Sequence, residues 1–411
     1  MPTTPDLNLD LIIRKQSLMT HFQPVVSIKK KKIIGLEALS RGLDPISGNL
    51  VQPCLLFAAA EHFDKTVETD RACRKAALTA FRPVHQQHPD LLLFINFDTS
   101  MVDKGIVGSG NFLRMVRDHG IDPRNIVIEL VESRVRDFSE LCRFISMYRE
   151  HGFLIALDDF GAGHSNLERV SIIKPDIIKI DRSLIKDIHS QFYKQEIIKA
   201  VVKLADQLGV MVLAEGTENP REVLKSLELG TDLFQGYFFA RPQNILDVDF
   251  DKIEDKIRET GDGFFKCVIK RIKARKQKFS NYQALSFSIL SGLSSGQDMD
   301  LESQLKKMIK SSKVIECAYV LDESGRQVSP TVVNRGFVRE RKSRFLFRPA
   351  EKGDDHCLKD YYVYIQAGLD RFITDPYISL ATGTLCRTIS MTFSTRNGQK
   401  HILCLDMREK D

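Results

Sequence analysis

Two adjacent carboxylates, Asp158 and Asp159, directly follow the apolar run 154–157 and precede the glycine-containing segment 161–163. A fully apolar run of this length is typical of a buried strand in a parallel sheet. Two carboxylates at its end repel each other and lose hydration when buried, and divalent cations would remove both costs. The alternative is a solvated turn in which the two aspartates cap the next helix. The dipeptide alone does not decide between these interpretations.

Polar side chains recur at or near the ends of several other apolar runs. They comprise five acids, two amides and one lysine: Glu37, Asn96, Glu129, Asp158, Asp159, Lys179, Glu215 and Gln235. Such a set is hard to explain as unrelated loop residues, so we expect one shared site. Oxygen ligands of this kind suit Mg²⁺ or Mn²⁺. Five acids exceed what one ion needs, so two ions sharing Asp158 fit better.

Paired divalent ions suit phosphoester hydrolysis, because they acidify a bridging water and neutralise charge on the phosphate. Lys179 could hydrogen-bond the attacking water or stabilise charge on the phosphorus centre. The alternative is a surface lysine at a strand end, which its apolar neighbours Ile178 and Ile180 make less attractive. The residues therefore predict metal-dependent chemistry on a phosphate ester.

Strands that alternate with helices must position these side chains. Apolar runs typical of strands lie at 22–28, 33–39, 91–98, 126–133, 154–157, 177–181, 210–216 and 232–239. Helical patterns lie at 9–18, 55–59, 71–81, 112–119, 141–148, 197–208 and 223–229. About eight such repeats in roughly 240 residues have the size of a closed (β/α) barrel. A doubly wound open sheet is the alternative α/β fold.

Composition limits the class of protein. The 411 residues allow two domains, and a net charge of +6 is too small to indicate a DNA partner. No apolar run approaches the ~18 residues of a membrane span, and the polar N-terminus is not typical of a signal peptide. The eight cysteines form no Cys-x-x-Cys pair. They fit reduced thiols, and we expect a cytoplasmic protein.

The segment Glu37-Ala38-Leu39 resembles the signature of EAL domains, bacterial phosphodiesterases that act on cyclic di-GMP. The resemblance covers about residues 7–243 and includes Gln23-Pro24, Asn96, Glu129 with Glu132, Asp158-Asp159-Phe160-Gly161, Lys179-Ile180-Asp181, Ala214-Glu215-Gly216 with Glu218, and Gln235-Gly236-Tyr237 through Arg241-Pro242. It implies a modified (β/α)8 barrel, similar to a TIM barrel, with one antiparallel strand. It also implies hydrolysis of cyclic di-GMP to linear pGpG.

The resemblance also implies a role for each site residue. Two Mg²⁺ or Mn²⁺ ions would be bound by Glu37, Asn96, Glu129, Asp158, Asp159 and Glu215. Lys179 would contact the nucleophilic water, and the choice of general base between Glu215 and the metals with Lys179 stays open. Gln235 would support the site, and Gln23 and Arg41 would hold the substrate phosphate. Glu132 would anchor the loop after the paired aspartates, which links the metal site to a dimer interface in the family.

That loop departs from the usual family pattern. Ala162, His164 and Asn166 replace the usual threonine, tyrosine and serine, and Val131 replaces a usual threonine. We expect these changes to alter rate or regulation without abolishing the chemistry. Every residue assigned to catalysis is present, which argues against the main alternative, a cyclic di-GMP receptor that binds without hydrolysis. An inert scaffold is a weaker alternative.

The composition changes after Pro242. An amphipathic basic stretch at 265–272 predicts a connecting helix or, alternatively, a membrane-surface helix, and further helical patterns lie at 282–293 and 301–309. From 314 onward strands are favoured, with a hairpin turn at Asn397-Gly398. The segment 361–367 fits a helix or a strand.

This C-terminal region resembles PAS-like sensory modules of the Cache type. Four residues are candidates to line a ligand pocket, with surface or structural roles as the alternative: Arg371, Asp375, Tyr377 and Arg387. The region could equally serve dimerisation. The predicted organisation is an EAL barrel at 1–245, a helical linker at 246–312 and a sensory or dimerisation domain at 313–411. We expect a homodimer.

Overall fold

The computed structural model describes residues 7–15, 17–97, 110–131, 138–162, 167–295, 301–312, 314–337, 348–395 and 398–408. Contacts within the chain divide it into two compact units, Met1–Ile269 and Lys270–Asp411. No helix of the described part of the chain is long and apolar enough to cross a membrane.

The first unit is built on a closed barrel. Its strands are β1 (Leu18–Ser27), β2 (Lys32–Leu43), β3 (Leu50–Val51), β4 (Leu92–Phe97), β5 (Ile126–Val131), β6 (Leu154–Phe160), β7 (Ile177–Ile180), β8 (Met211–Ala214), β9 (Leu233–Phe234) and β10 (Gln243–Asn244). Parallel pairing runs from β2 through β4 to β9, and β1 closes the ring by antiparallel pairing with both β2 and β9. The short strands β3 and β10 add to β2 and β1.

This topology confirms the predicted eight-stranded barrel with one antiparallel strand and excludes the open sheet. The helices around it are α1 (Leu9–Arg14), α2 (Pro53–His62), α3 (Thr66–Gln87), α4 (Asn111–Asp118), α5 (Phe138–Glu150), α6 (Leu167–Ile173), α7 (Arg182–Ile185), α8 (Phe192–Leu208) and α9 (Pro220–Glu228). A large apolar core fills the space between these helices and the outer face of the strands.

The first helix is shorter than its apolar pattern predicts. It begins after the cap Asn8, whose side chain accepts a hydrogen bond from Leu11 N, and it ends at Arg14. Leu18 belongs to β1, because the backbone N–H of Leu43 donates to Ser17 O and Leu18 pairs with Gly42 in the sheet. Leu18 therefore belongs to a strand, although the apolar periodicity alone predicted that it belongs to the helix.

The interior of the barrel holds a layer of buried apolar side chains, against which Ile34, Leu92, Leu154 and Met211 also pack. Seven of the strands contribute one buried side chain each: Val25, Phe94, Val127, Ala156, Ile177, Leu213 and Leu233. The remaining strand contributes Gly35, where a Cβ atom would lie 2.9 Å from the Phe94 ring and 2.5 Å from Leu92 O. Since side chains alternate along a strand, residues two positions away point into the barrel on the same side. This layer is the floor on which the site described below rests.

The second unit is an antiparallel sheet with helices packed on it. Its strands are β11 (Ile315–Asp322), β12 (Val332–Val333), β13 (Arg371–Ile373), β14 (Tyr377–Ile378), β15 (Leu385–Ser394) and β16 (Lys400–Arg408), in the order β12-β11-β16-β15-β13 with β14 beside β15. The 46-residue helix α10 (Phe250–Ser295) has residues in both units and includes both stretches predicted as separate helices at 265–272 and 282–293. It is followed by α11 (Leu301–Ser311).

Two apolar clusters hold helices to this sheet. Leu305, Met308 and Ile309 of α11 pack against one set of strand residues. The other cluster contains α12 (Asp360–Gln366), which answers the helix-or-strand question at 361–367 in favour of a helix. In the turn between β15 and β16, Gly398 has φ +75° and its N–H donates to Thr395 O, while Asn397 lies outside the described residues.

Candidate active site

Lys179 lies at the centre of the polar cluster inside the barrel. Its side chain is 1% exposed, and its Nζ lies 2.5 Å from Glu129 Oε1, 2.8 Å from Glu215 Oε1 and 3.1 Å from Asp158 Oδ1. Glu37 Oε1 is 3.6 Å away. The structure therefore brings together four of the five predicted acids around the predicted lysine.

Glu37 is held by both predicted amides. Asn96 Nδ2 donates to Glu37 Oε1 at 3.2 Å, and Gln235 Nε2 donates to Glu37 Oε2. Gln235 Nε2 also contacts Gln23 Oε1 at 3.2 Å, and Gln23 Nε2 donates to Ala240 O at 3.0 Å. The bonds from Asn96 and Gln235 fix the orientation of the Glu37 side chain. The bond between Gln23 and Gln235 links the antiparallel strand β1 to the residue that follows β9.

The alternation of the strands explains why these residues meet. Asn96, Glu129, Asp158, Lys179, Glu215 and Gln235 each follow an inward apolar residue of the floor layer by two positions. Gln23 precedes Val25 by two positions, because β1 runs in the opposite direction. One rule of strand geometry thus places the polar residues in a second layer above the apolar one.

Three carboxylates have the spacing that a metal ion requires. Asp158, Asp159 and Glu215 each offer an oxygen, and these oxygens lie within 4.8 Å of one another. Asp159 has φ +56°, an unusual backbone conformation for an aspartate. Hard oxygen donors in this arrangement fit a divalent cation such as Mg²⁺, Mn²⁺ or Ca²⁺.

Burial and mutual repulsion set the protonation of the cluster. Burial raises the pKa of Glu215 to about 8, and burial together with the charge of Glu37 raises the pKa of Glu129 well above its ordinary value. Burial and the neighbouring Asp158 also raise the pKa of Asp159. Burial opposes the charge of Lys179, but the surrounding carboxylates raise its pKa well above the usual value.

Glu37 differs from the other acids. Burial works against its charge, but Lys179 and the hydrogen bonds from Gln235 and Asn96 outweigh it and lower the pKa of Glu37. The lysine is thus an ammonium ion, and Glu37 is a carboxylate that faces it.

A cavity of about 340 Å³ opens over these side chains. Its lining residues are Gln23, Glu37, Leu39, Asp158, Asp159, Lys179, Arg182, Glu215, Gly216, Glu218, Gln235, Gly236 and Tyr237. Arg41 is half-buried and donates to Ser40 O at 2.8 Å. Burial lowers the pKa of Arg41, and the neighbouring Tyr237 and Glu37 oppose that effect. Arg41 is not among the described residues that line the cavity.

Sequence analysis did not assign Arg182, Glu218 and Tyr237 to the site. Arg182 Nη2 lies 2.7 Å from Glu218 Oε1 at the cavity rim, and the guanidinium of Arg241 lies 4.3 Å from the ring centroid of the half-exposed Tyr237. The sequence does contain a signal that could have found these residues, since each lies two or three positions after a residue assigned to the site. Glu132, His164 and Asn166 lie outside the described residues, so their predicted roles stay predictions.

Comparisons with known proteins identify relatives of this chain. The family model described as EAL domain matches residues 7–242. The Bacillus subtilis EAL-domain containing protein YkuI is 24% identical over 400 residues, 93% of each chain. Cyclic di-GMP phosphodiesterase PdeA of Borreliella burgdorferi is 28% identical over 238 residues, 57% of this chain and 35% of that protein. The chain spans about a third of the length of several such curated relatives.

Solved structures give the same result for the fold. The crystal structure of YkuI in complex with cyclic di-GMP and calcium superposes with a TM-score of 0.80 over 100% of both chains, at 22% identity. A calcium and cyclic di-GMP complex of Klebsiella pneumoniae BlrP1 is 30% identical, with a TM-score of 0.51 over 56% of each chain. With more than half of its length matched by the family model and its barrel closed by one antiparallel strand, the chain belongs to the EAL domain family.

Proposed function

We propose that this protein hydrolyses cyclic di-GMP to linear pGpG, using two Mg²⁺ or Mn²⁺ ions. The observation that carries the proposal is the convergence of Glu37, Glu129, Asp158 and Glu215 on one buried lysine beneath an open cavity. Relatives named as cyclic di-GMP phosphodiesterases support the choice of substrate.

The ligands of the two ions come from the strand ends. We assign Glu37, Asn96, Glu129, Asp158, Asp159 and Glu215 to them, with Asp158 shared. When bound, the ions supply an acidified water and neutralise charge on the scissile phosphate. The spacing of Asp158, Asp159 and Glu215 supports this assignment, as does the absence of histidine and cysteine among the described residues that line the cavity.

The protein's own residues orient the reacting groups. Lys179, charged and held by the acidic side chains of Glu129, Asp158 and Glu215, donates a hydrogen bond to the attacking water and fixes its position relative to the phosphorus. Gln235 holds Glu37 and Gln23 in place. Gln23 and Arg41 bind the phosphate and nearby atoms, since a guanidinium offers a planar fork of donors.

The test is turnover by the purified full chain. Incubation with cyclic di-GMP and Mg²⁺ or Mn²⁺ should produce pGpG, detected by liquid chromatography and mass spectrometry. Tight binding without product would favour the alternative of a non-hydrolysing receptor, and an absence of binding would refute both. Replacement of Glu37 provides the inactive control.

We also propose that residues 313–411 form a PAS/Cache-like sensory domain, joined to the barrel domain (1–245) by the linker 246–312. Its antiparallel sheet with helices on it supports this interpretation. Tyr377 OH lies 2.5 Å from Thr388 Oγ1, and Arg387 Nη1 donates to Thr374 O at 3.3 Å, so two of the predicted ligand residues already have partners within the domain.

We further propose that the protein is a cytoplasmic homodimer. The family resemblance supports this proposal, since the loop after the paired aspartates adjoins a dimer interface in the family. Light scattering after size-exclusion chromatography tests it, and a mass of about 47 kDa in solution, that of one chain, would contradict it.

A further inference from the structure

Glu222 is a buried carboxylate with an unusual set of partners. It is the third residue of α9, it is 3% exposed, and it accepts hydrogen bonds from three backbone N–H groups. Two of these, from Glu218 (3.0 Å) and Asn219 (3.3 Å), belong to the start of its own helix. Together with the Asn219 side chain, which accepts from Glu222 N, they form a capping box.

The third partner lies outside the capping box. The backbone N–H of Asp187, 35 residues earlier in the chain, donates to Glu222 Oε1 at 3.1 Å. Asp187 has φ +58°, in the left-handed region that few residues other than glycine, asparagine and aspartate adopt. Burial alone would raise the pKa of Glu222, but the N–H groups of Glu218, Asp187 and Asn219 hold it below the ordinary value.

These bonds join two segments that leave neighbouring barrel strands. One runs from Lys179 in β7 through α7 to Asp187, and the other runs from Glu215 after β8 to Glu218. Each segment carries one member of the rim pair, Arg182 and Glu218. The two are in close contact, since a Cβ atom on Gly216, which has φ +62°, would lie 2.6 Å from Arg182 Cγ.

The bases of these segments are held independently of Glu222. Glu215 N donates to Ile180 O at 3.0 Å, and Lys179 pairs with Leu213 within the sheet. Arg182 and Glu218, in contrast, lie beyond the strands, and their side chains are about half exposed (50% and 42%). Loss of Glu222 should therefore displace the rim pair while the acids and the lysine inside the barrel stay in place.

We propose that Glu222 is a positioning residue that holds the Arg182–Glu218 pair at the cavity mouth and thereby sets the affinity for the nucleotide. This inference rests on the proposed function. Arg182 offers a planar fork of donors and Glu218 a pair of acceptors at the rim, a combination suited to the phosphate and base edges of a guanine nucleotide. Glu222 itself does not contact the substrate.

The experiment compares Glu222→Gln, Glu222→Ala and the matched control Asn219→Ala by steady-state kinetics with cyclic di-GMP and Mn²⁺. Asn219→Ala weakens the same helix start but keeps the bond between Glu222 and Asp187. We expect both Glu222 variants to raise KM about fivefold or more with kcat within about twofold, and the control to keep KM within about twofold. Glutamine keeps one acceptor oxygen, so its effect should be smaller than that of alanine.

A double-mutant cycle with Arg182→Gln identifies the route of the effect. If Glu222 acts through the rim pair, Glu222→Gln should add little to the KM of the Arg182→Gln protein. Equal changes in KM and melting temperature for Glu222→Gln and Asn219→Ala would reduce Glu222 to a helix cap and overturn the inference. An active wild type with unchanged KM in Glu222→Ala would also overturn it.

The wild-type protein tests the proposed function separately in this experiment. If the wild type binds cyclic di-GMP without turnover, the same comparison is made on Kd, measured by calorimetry with Ca²⁺. A wild type that neither binds nor hydrolyses the nucleotide contradicts the proposed function, and the inference about Glu222 then fails with it.

Discussion

Nζ of Lys179 lies 2.5 Å from Oε1 of Glu129, and both side chains are buried inside the barrel. Three further carboxylates surround the same ammonium. Removing one member of a buried ion pair leaves the other uncompensated, which typically costs about 3–5 kcal/mol. The pair therefore links the stability of the barrel to the residue proposed to orient the nucleophile.

Lys179→Met should lower kcat by at least about a hundredfold, because a contact made in the transition state is lost. It should also lower the melting temperature of the metal-free protein, and Mn²⁺ should restore part of that loss. Lys199→Met, which removes an exposed lysine on α8, is the control for general effects of the substitution. Activity near that of the wild type in Lys179→Met would refute the role.

Glu37→Ala should also reduce turnover by at least about a hundredfold, since it removes both a proposed ligand and the acceptor for Asn96 and Gln235. Discontinuous assays of pGpG formation measure the effect. Glu196→Ala, on the exposed face of α8, should remain fully active. A Glu37→Ala protein that keeps its turnover would contradict the assignment of Glu37.

Removal of divalent cations should abolish turnover reversibly. Chelation with EDTA tests this expectation, with re-addition of Mn²⁺ as the rescue. Because a ligand that binds only the folded state stabilises it, Mn²⁺ at about a hundred times its Kd should add about 2.7 kcal/mol to the free energy of unfolding. Asp159→Asn should reduce the melting-temperature shift caused by Mn²⁺, whereas Asp206→Asn on α8 should leave it unchanged.

Gly236→Ala should destabilise the barrel and disturb the site. A Cβ atom at this position would lie 2.1 Å from Thr217 O and 2.3 Å from Thr217 N, and neither backbone atom can move freely. We expect a loss of about 1–3 kcal/mol, as for other forced contacts in a packed interior. Gly263→Ala is the matched control, since a Cβ atom there meets nothing within 4 Å in the helix α10, and it should be neutral or stabilising. Chemical denaturation compares the two.

The contribution of His356 to the stability of the second unit should fall below pH 6.5. His356 is buried, with Nδ1 2.7 Å from Tyr361 OH and Nε2 3.1 Å from Gln327 Oε1. Burial lowers its pKa, as does Lys359, while Asp354 and Asp355 oppose the effect. Between the folded-state pKa and the unfolded value near ~6.5, the unfolded state binds the extra proton, so stability falls as pH falls.

Urea denaturation between pH 5 and pH 8, followed by the circular dichroism of the aromatic residues, measures this dependence. His356→Gln should remove much of the slope below pH 6.5. The same slope in wild type and variant would show that another group is responsible. Proton NMR of the histidine ring checks the lowered pKa directly.

The barrel and most of its site could be predicted from the sequence because alternation in strands is a local property. Asp158 lies two residues beyond Ala156, and Glu129 lies two residues beyond Val127. A polar residue two positions after an apolar one near the end of a strand therefore marks the face that points into the barrel. Gln23 could not be placed by that rule alone, since its strand runs in the opposite direction and the sign of the offset changes.

Other features depend on contacts between distant segments. The pairing of Arg182 with Glu218 and the bridge from Glu222 to Asp187 join segments 35 or more residues apart, and no periodic pattern encodes them. The continuity of α10 was also missed, because its acidic start, its basic middle and two glycines at 261 and 263 suggest a break. The helix instead continues through Gly261, where a Cβ atom would lie 3.5 Å from Cγ2 of Ile28.

Lys179 has a further consequence for the closure of the barrel. An acidic cluster assembled from distant parts of one chain would normally oppose closure of the barrel until positive charge arrived from outside. Here one positive charge, that of Lys179, lies on the same polypeptide as the acids that surround it. Part of this repulsion is therefore offset within the chain itself, whether or not an ion is bound.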